Sequence, residues 1–135
     1  MPQRVEIVKK IMDTNDRLAQ TNRAVLDQHH TFGINLMASP GAGKTSFILE
    51  TIKRLPKNIR LGVIEGDTAP VTIDADKIVA AGMPAVQINT GGDCHLDANM
   101  IEIALAELPL EELGLIIVEN VGNLICPAAF QLGTH

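Results

Sequence analysis

The sequence predicts an α/β domain: a mainly parallel sheet flanked by helices, with an additional helix at the N-terminus. Three observations carry that expectation. Short apolar runs alternate along the chain with segments of helical period. The run Leu115-Ile116-Ile117-Val118 is apolar at every position, as a strand covered on both faces should be. Between one apolar run and one helical segment lies the Gly-rich stretch Ala38-Ser39-Pro40-Gly41-Ala42-Gly43-Lys44-Thr45.

Taken in order, residues 4–28 read as one amphipathic helix. Val5, Val8, Ile11, Met12, Leu18, Val25 and Leu26 recur at threes, fours and sevens. The domain itself is the expected cover for that stripe, with a partner protein as the alternative. His29 and His30 follow as a linker. Ile34–Ala38 reads as a buried first strand, and the segment from Lys44 to Arg54 as a helix, with Phe47, Ile48, Ile52 and Leu55 at helical spacing. Leu55-Pro56-Lys57-Asn58 breaks the pattern. Arg60–Glu65 is a second strand ending at Gly66-Asp67, and Thr68–Thr72 a loop. Asp74–Ala81 is a short helix closed by Gly82, with Asp74 and Asp76 as capping acids. Pro84–Asn89 is a third strand, Gly91-Gly92-Asp93 a turn, Leu96–Leu108 a helix and Leu113–Glu119 a fourth strand. The expected division is residues 1–30 as an N-terminal amphipathic helix packed on the domain and 31–135 as the domain proper.

Bulk composition narrows the functional classes. A chain of 135 residues with 46% apolar residues is enough for one domain with a modest core. The formal net charge of −5 argues against a nucleic-acid partner. No apolar run reaches the length of a membrane span, and the N-terminus lacks the pattern of a signal peptide. The expected location is therefore cytoplasmic, where the two cysteines stay reduced.

The Gly-rich stretch has the chemistry of a phosphate-binding loop of the Walker A type, with Ala38 in place of the usual leading Gly. Gly41 and Gly43 allow positive φ and let backbone N–H groups approach phosphate oxygens. The helix starting near Lys44 adds free N–H groups and the positive end of its dipole. Lys44 can reach the β- and γ-phosphates, and Thr45 can place its hydroxyl on Mg²⁺. The expected nucleotide contacts are Gly41, Ala42, Gly43, Lys44, Thr45 and Ser46, and the fold class becomes a P-loop NTPase. Ligands of such sheets sit beyond the carboxyl ends of the strands. Glu119 ends the fourth strand there and is the expected magnesium and catalytic carboxylate; Asp67, ending the second, is another candidate, and Asp74 a weaker one. Glu119-Asn120-Val121-Gly122 resembles the Asp-x-x-Gly switch of GTPases.

Cys94-His95 in the Gly-rich turn and Cys126-Pro127 after the fourth strand also lie at that end. Two thiolates and an imidazole suit Zn²⁺ or Ni²⁺, although three ligands do not close a tetrahedral site. Water or a second copy of the chain would supply the rest. Buried thiols without a metal are the alternative.

These motifs resemble the HypB proteins, nickel-insertion GTPases of hydrogenase maturation. The matching segments are Asn15-Asp16-Arg17-Leu18-Ala19, the phosphate loop, Asn89-Thr90-Gly91, Cys94-His95-Leu96-Asp97-Ala98 and Glu119-Asn120-Val121-Gly122-Asn123-Leu124-Ile125-Cys126-Pro127. The resemblance implies GTP hydrolysis coupled to Ni²⁺ delivery to the large subunit of [NiFe] hydrogenase, alongside other nickel-delivery accessory proteins. It implies a metal site at Cys94, His95 and Cys126 and a nucleotide-dependent homodimer. A Cys-rich N-terminal nickel motif, a His-rich tail and the guanine-reading Asn-Lys-x-Asp segment are absent from these residues, so the expectation is a C-terminally truncated domain. The alternatives are a urease-type nickel-delivery GTPase, another P-loop ATPase or kinase, and a metal-binding dimerisation module without hydrolysis.

Overall fold

The computed structural model describes residues 7–68 and 73–135, the side chain of Ile7 excepted. Val5 of the helical stripe and most of the 68–72 loop lie outside the described residues. The elements are α1 (Ile7–Gln28), β1 (Phe32–Leu36), α2 (Lys44–Arg54), β2 (Leu61–Asp67), α3 (Ile73–Ala80), β3 (Ala85–Asn89), α4 (Ala98–Ala106), a 3₁₀ turn (Leu110–Glu112), β4 (Leu115–Glu119) and α5 (Cys126–Ala129). All strand pairs are parallel, in the order β1-β4-β2-β3. The expected fold class is the observed one.

The alternation of side chains across each strand divides the core in two. Ile64, Ile116 and Val118 face α1 and α4, where they join Leu26, Leu96, Ile101 and Leu105. Leu61, Val63 and Ile117 face the other way and pack with Ile48 of α2 and Ile78 of α3. Ile48 has no exposed surface, and its burial contributes about 2 kcal/mol. The 3.6-residue period of α2 puts Ile48 on the sheet and Phe47 out in solvent.

The first strand departs from expectation. It begins and ends two residues earlier than Ile34–Ala38 and is an edge strand rather than a buried one. Phe32 and Ile34 remain exposed on this edge strand, Phe32 stacking on the His135 ring with centroids 4.6 Å apart. Met37 and Ala38 are thereby released from the ladder into the phosphate loop.

The packed face of α1 also differs from the apolar stripe. Its buried positions are Asn15, Ala19, Asn22 and Leu26, while Val8 and Ile11 are exposed. Hydrogen bonding explains the inversion. Asn22 Nδ2 donates to the carbonyls of Ala98 at 2.9 Å and Leu132 at 3.0 Å. Asn15 Nδ2 donates to Gln131 O at 2.8 Å, and its Oδ1 accepts from Ala98 N at 2.8 Å. Two amides thus join α1 to the start of α4 and to the 131–132 backbone, satisfying polar groups that burial would otherwise penalise.

Candidate functional site

The strand register brings the site together. Leu36, Glu119 and Glu65 are partners across β1, β4 and β2, so β1 and β4 end at the level of Glu65 while β2 runs two residues further, to Asp67. The phosphate loop leaves β1 at that level. Gly41 and Gly43 adopt φ of 73° and 95°, the left-handed conformations expected of them. Gly43 caps α2, whose first backbone bond runs from Phe47 N to Gly43 O at 2.9 Å. The amides of Lys44, Thr45 and Ser46 therefore have no acceptor within the helix. They line a cleft of about 860 Å³ together with Gly41, Asp67, Glu119, Cys94 and Cys126.

Within the cleft, Thr45 Oγ1 donates to Glu119 Oε1 at 3.2 Å and Oε2 at 3.4 Å. Lys44 Nζ donates to Ala38 O at 3.4 Å, folding the ammonium back over its own loop. Oxygens of Glu65, Asp74 and Glu119 lie within 4.8 Å of one another. Glu65 was not singled out from the sequence, where it lies inside an apolar run. It is 5% exposed, and its Oε1 is buried with no hydrogen-bond partner. Burial foremost, then a hydrogen bond with Glu119 and the charges of Glu119 and Asp74, push its carboxyl up to about 10, against a smaller opposing pull from Lys44. These effects favour the protonated, neutral form of Glu65. Asp67, two residues further along β2, pairs with Asn89 rather than with Glu119; it lines the cleft but lies outside the carboxylate group. Asp74 is in the first turn of α3 and, beyond the capping role expected for it, joins that group. Three hard oxygen donors beside a hydroxyl, one of them orphaned, fit a cation such as Mg²⁺. When bound beside phosphate, such an ion neutralises charge on the phosphate oxygens.

Asn120 holds the end of β4 in place. It is 1% exposed; its Nδ2 donates to Asn35 Oδ1 at 3.0 Å, and its Oδ1 accepts from Leu96 N at 3.2 Å and Val121 N at 2.9 Å.

The thiols sit on the same rim. Cys94 is exposed and Cys126 half-buried, and neither is in a disulfide. A hydrogen bond with Cys94, followed by burial and the charge of Cys94, raises the Cys126 thiol above its ordinary value. His95 is placed differently from the expected ligand trio. Its ring stacks on Phe130 with centroids 3.8 Å apart and planes at 7°, and its Nδ1 is buried without a partner. Among the described residues the carboxylates form a three-ligand group, whereas Cys94, His95 and Cys126 do not.

Residues 33–134 match the CobW/HypB/UreG nucleotide-binding domain. The chain belongs to the CobW/HypB/UreG family. Within this family it is 48% identical over 129 residues to the hydrogenase maturation factor HypB of Escherichia coli (strain K12), covering 96% of this chain and 44% of that protein. It is 52% identical over 129 residues to HypB of Azotobacter vinelandii, covering 96% of this chain and 42% of that protein. The crystal structure of HypB from Helicobacter pylori in complex with nickel superposes with a TM-score of 0.84 at 38% identity, covering 90% of this chain and 57% of that one. The chain thus spans about half the length of the relatives it matches. The resemblance drawn from the motifs and the fold class are both borne out at family level.

Proposed function

We propose that the chain is a GTP-hydrolysing nickel metallochaperone of hydrogenase maturation. One observation carries the reading: the phosphate loop and both cysteines line a single cleft. Lys44 and the amides from Gly41 to Ser46 hold the phosphates, while Thr45 and Glu119, with Asp67 nearby, arrange Mg²⁺. Charge stabilisation and positioning are what phosphoryl transfer asks of a protein, and without a further activating group the turnover expected is roughly 10⁻⁴ to 10⁻² per second. Cys94 and Cys126 capture Ni²⁺ or Zn²⁺. His95 completes the set by leaving Phe130, or a second copy of the chain supplies the remaining ligands in a nucleotide-dependent homodimer. Guanine preference, a cytoplasmic location, and the hydrogenase large subunit and accessory proteins as partners rest on the family.

The test follows phosphate release with Mg·GTP and Mg·ATP, and Ni²⁺ binding by native mass measurement. Lys44→Ala should lower phosphate release by about 10²-fold, and Cys94→Ala should lose nickel. Phosphate release equal to wild type in Lys44→Ala would remove the hydrolytic assignment; unchanged nickel stoichiometry in both Cys94→Ala and Cys126→Ala would remove the metal assignment.

A further inference from the structure

Asn123 lies in the connection between β4 and α5 and contacts both cysteine segments at once. Its Nδ2 donates to the carbonyl of Cys94. Its Oδ1 accepts from Ile125 N at 3.1 Å and from Cys126 N at 2.9 Å. The amide side chain donates at one end and accepts at the other, and so reaches both segments. The Cys94 loop needs such a tie. It follows Gly91 and Gly92, at φ of 67° and 120°, two residues that leave the backbone many conformations to lose. On the other side, the N-terminus of α5 has no side-chain cap from Ile125, and Asn123 Oδ1 takes its first amides instead. From these contacts we propose that Asn123 is the positioning residue that holds Cys94 and Cys126 as a dithiol pair, so that a soft metal ion meets both sulfurs without first ordering the loop.

The metal role of the pair rests on the function proposed above, whereas its geometry does not, and the experiment separates the two. The metal-free chain is treated with phenylarsine oxide, a trivalent arsenical that takes two neighbouring thiols, and capture is followed by mass. In parallel, Ni²⁺ is titrated and the thiolate-to-nickel charge-transfer absorbance recorded. Asn123→Ala should slow arsenical capture about tenfold and weaken nickel about 10- to 100-fold, the range for partners that orient metal ligands. Asn123→Asp keeps the acceptor that starts α5, and with it the local fold, but loses the donor to Cys94; it should behave like Asn123→Ala in both assays. Wild-type capture and nickel affinity in Asn123→Asp would overturn the positioning role. Capture that depends on Asn123, with no charge-transfer band in wild type, would support the dithiol geometry and reject the metal reading alone.

Discussion

Glu65 and Glu119 are register partners on adjacent parallel strands, and their carboxyl groups meet where β4 ends. Two carboxylates so close cannot both ionise cheaply in a buried site, so one keeps its proton. Here Glu65 is the partner that burial and the neighbouring charges favour as the neutral acid.

The stability of the ligand-free chain should therefore depend on pH in a defined direction. The Glu65 carboxyl rises from 4.5 to about 10 on folding, so the folded state holds a proton that the unfolded state has lost. Its contribution is fully present below 4.5 and is lost as pH rises towards 10, with a slope of at most about 1.4 kcal/mol per pH unit. Glu65→Gln, which mimics the protonated form, should flatten the dependence between pH 5 and 9. Urea midpoints across that range for both proteins test it, and parallel curves would show that Glu65 is ionised.

Thr45 should govern the cation requirement. Removing its hydroxyl deprives Glu119 of a donor and a bound Mg²⁺ of a ligand. Thr45→Ala should raise the Mg²⁺ concentration for half-maximal phosphate release by about tenfold, while Thr45→Ser should stay near wild type. An equal effect of both substitutions would point to the lost methyl rather than to the hydroxyl.

Gly122 connects the β4 end to the phosphate loop by close contact. A Cβ there would stand 3.0 Å from the Cα of Pro40, so Gly122→Ala must push the loop aside. The expected cost is about 1–3 kcal/mol, visible as weaker nucleotide binding by calorimetry. Unaltered affinity would mean that the loop yields without moving its amides.

Asn22 should matter to stability although its side chain is polar. Asn22→Leu abandons the buried carbonyls of Ala98 and Leu132, at about 1–3 kcal/mol. Chemical denaturation gives the value directly. A gain in stability would show that apolar packing at this face outweighs the amide's bonds.

The elements legible in the sequence are those whose signal is local. Gly41, Gly43 and Lys44 announce a phosphate loop because the loop's chemistry is contained in consecutive residues. Leu115–Val118 announces a strand buried on both faces because every position is apolar. Cys94 and Cys126, though far apart in the chain, were placed on one rim because both follow strands of a parallel sheet. The packed face of α1 was not legible in this way: nothing in a helical period reveals that the carbonyls of Ala98, Gln131 and Leu132 await Asn15 and Asn22.

Residue order by itself determined the α/β class, the phosphate loop and the carboxylate at the end of β4, since periodicity, glycine conformation and strand polarity act over neighbouring residues. Only the tertiary structure decided that β4 lies between β1 and β2. That placement leaves Phe32 at an open edge, sets Glu65 rather than Asp67 beside Glu119, and draws in Asp74. It also decided that His95 stacks on Phe130 while Asn123 links the two cysteines. The physical reason is that strand order and register are settled by burying two apolar faces at once, a balance taken over the whole chain, and they alone fix which polar side chains converge.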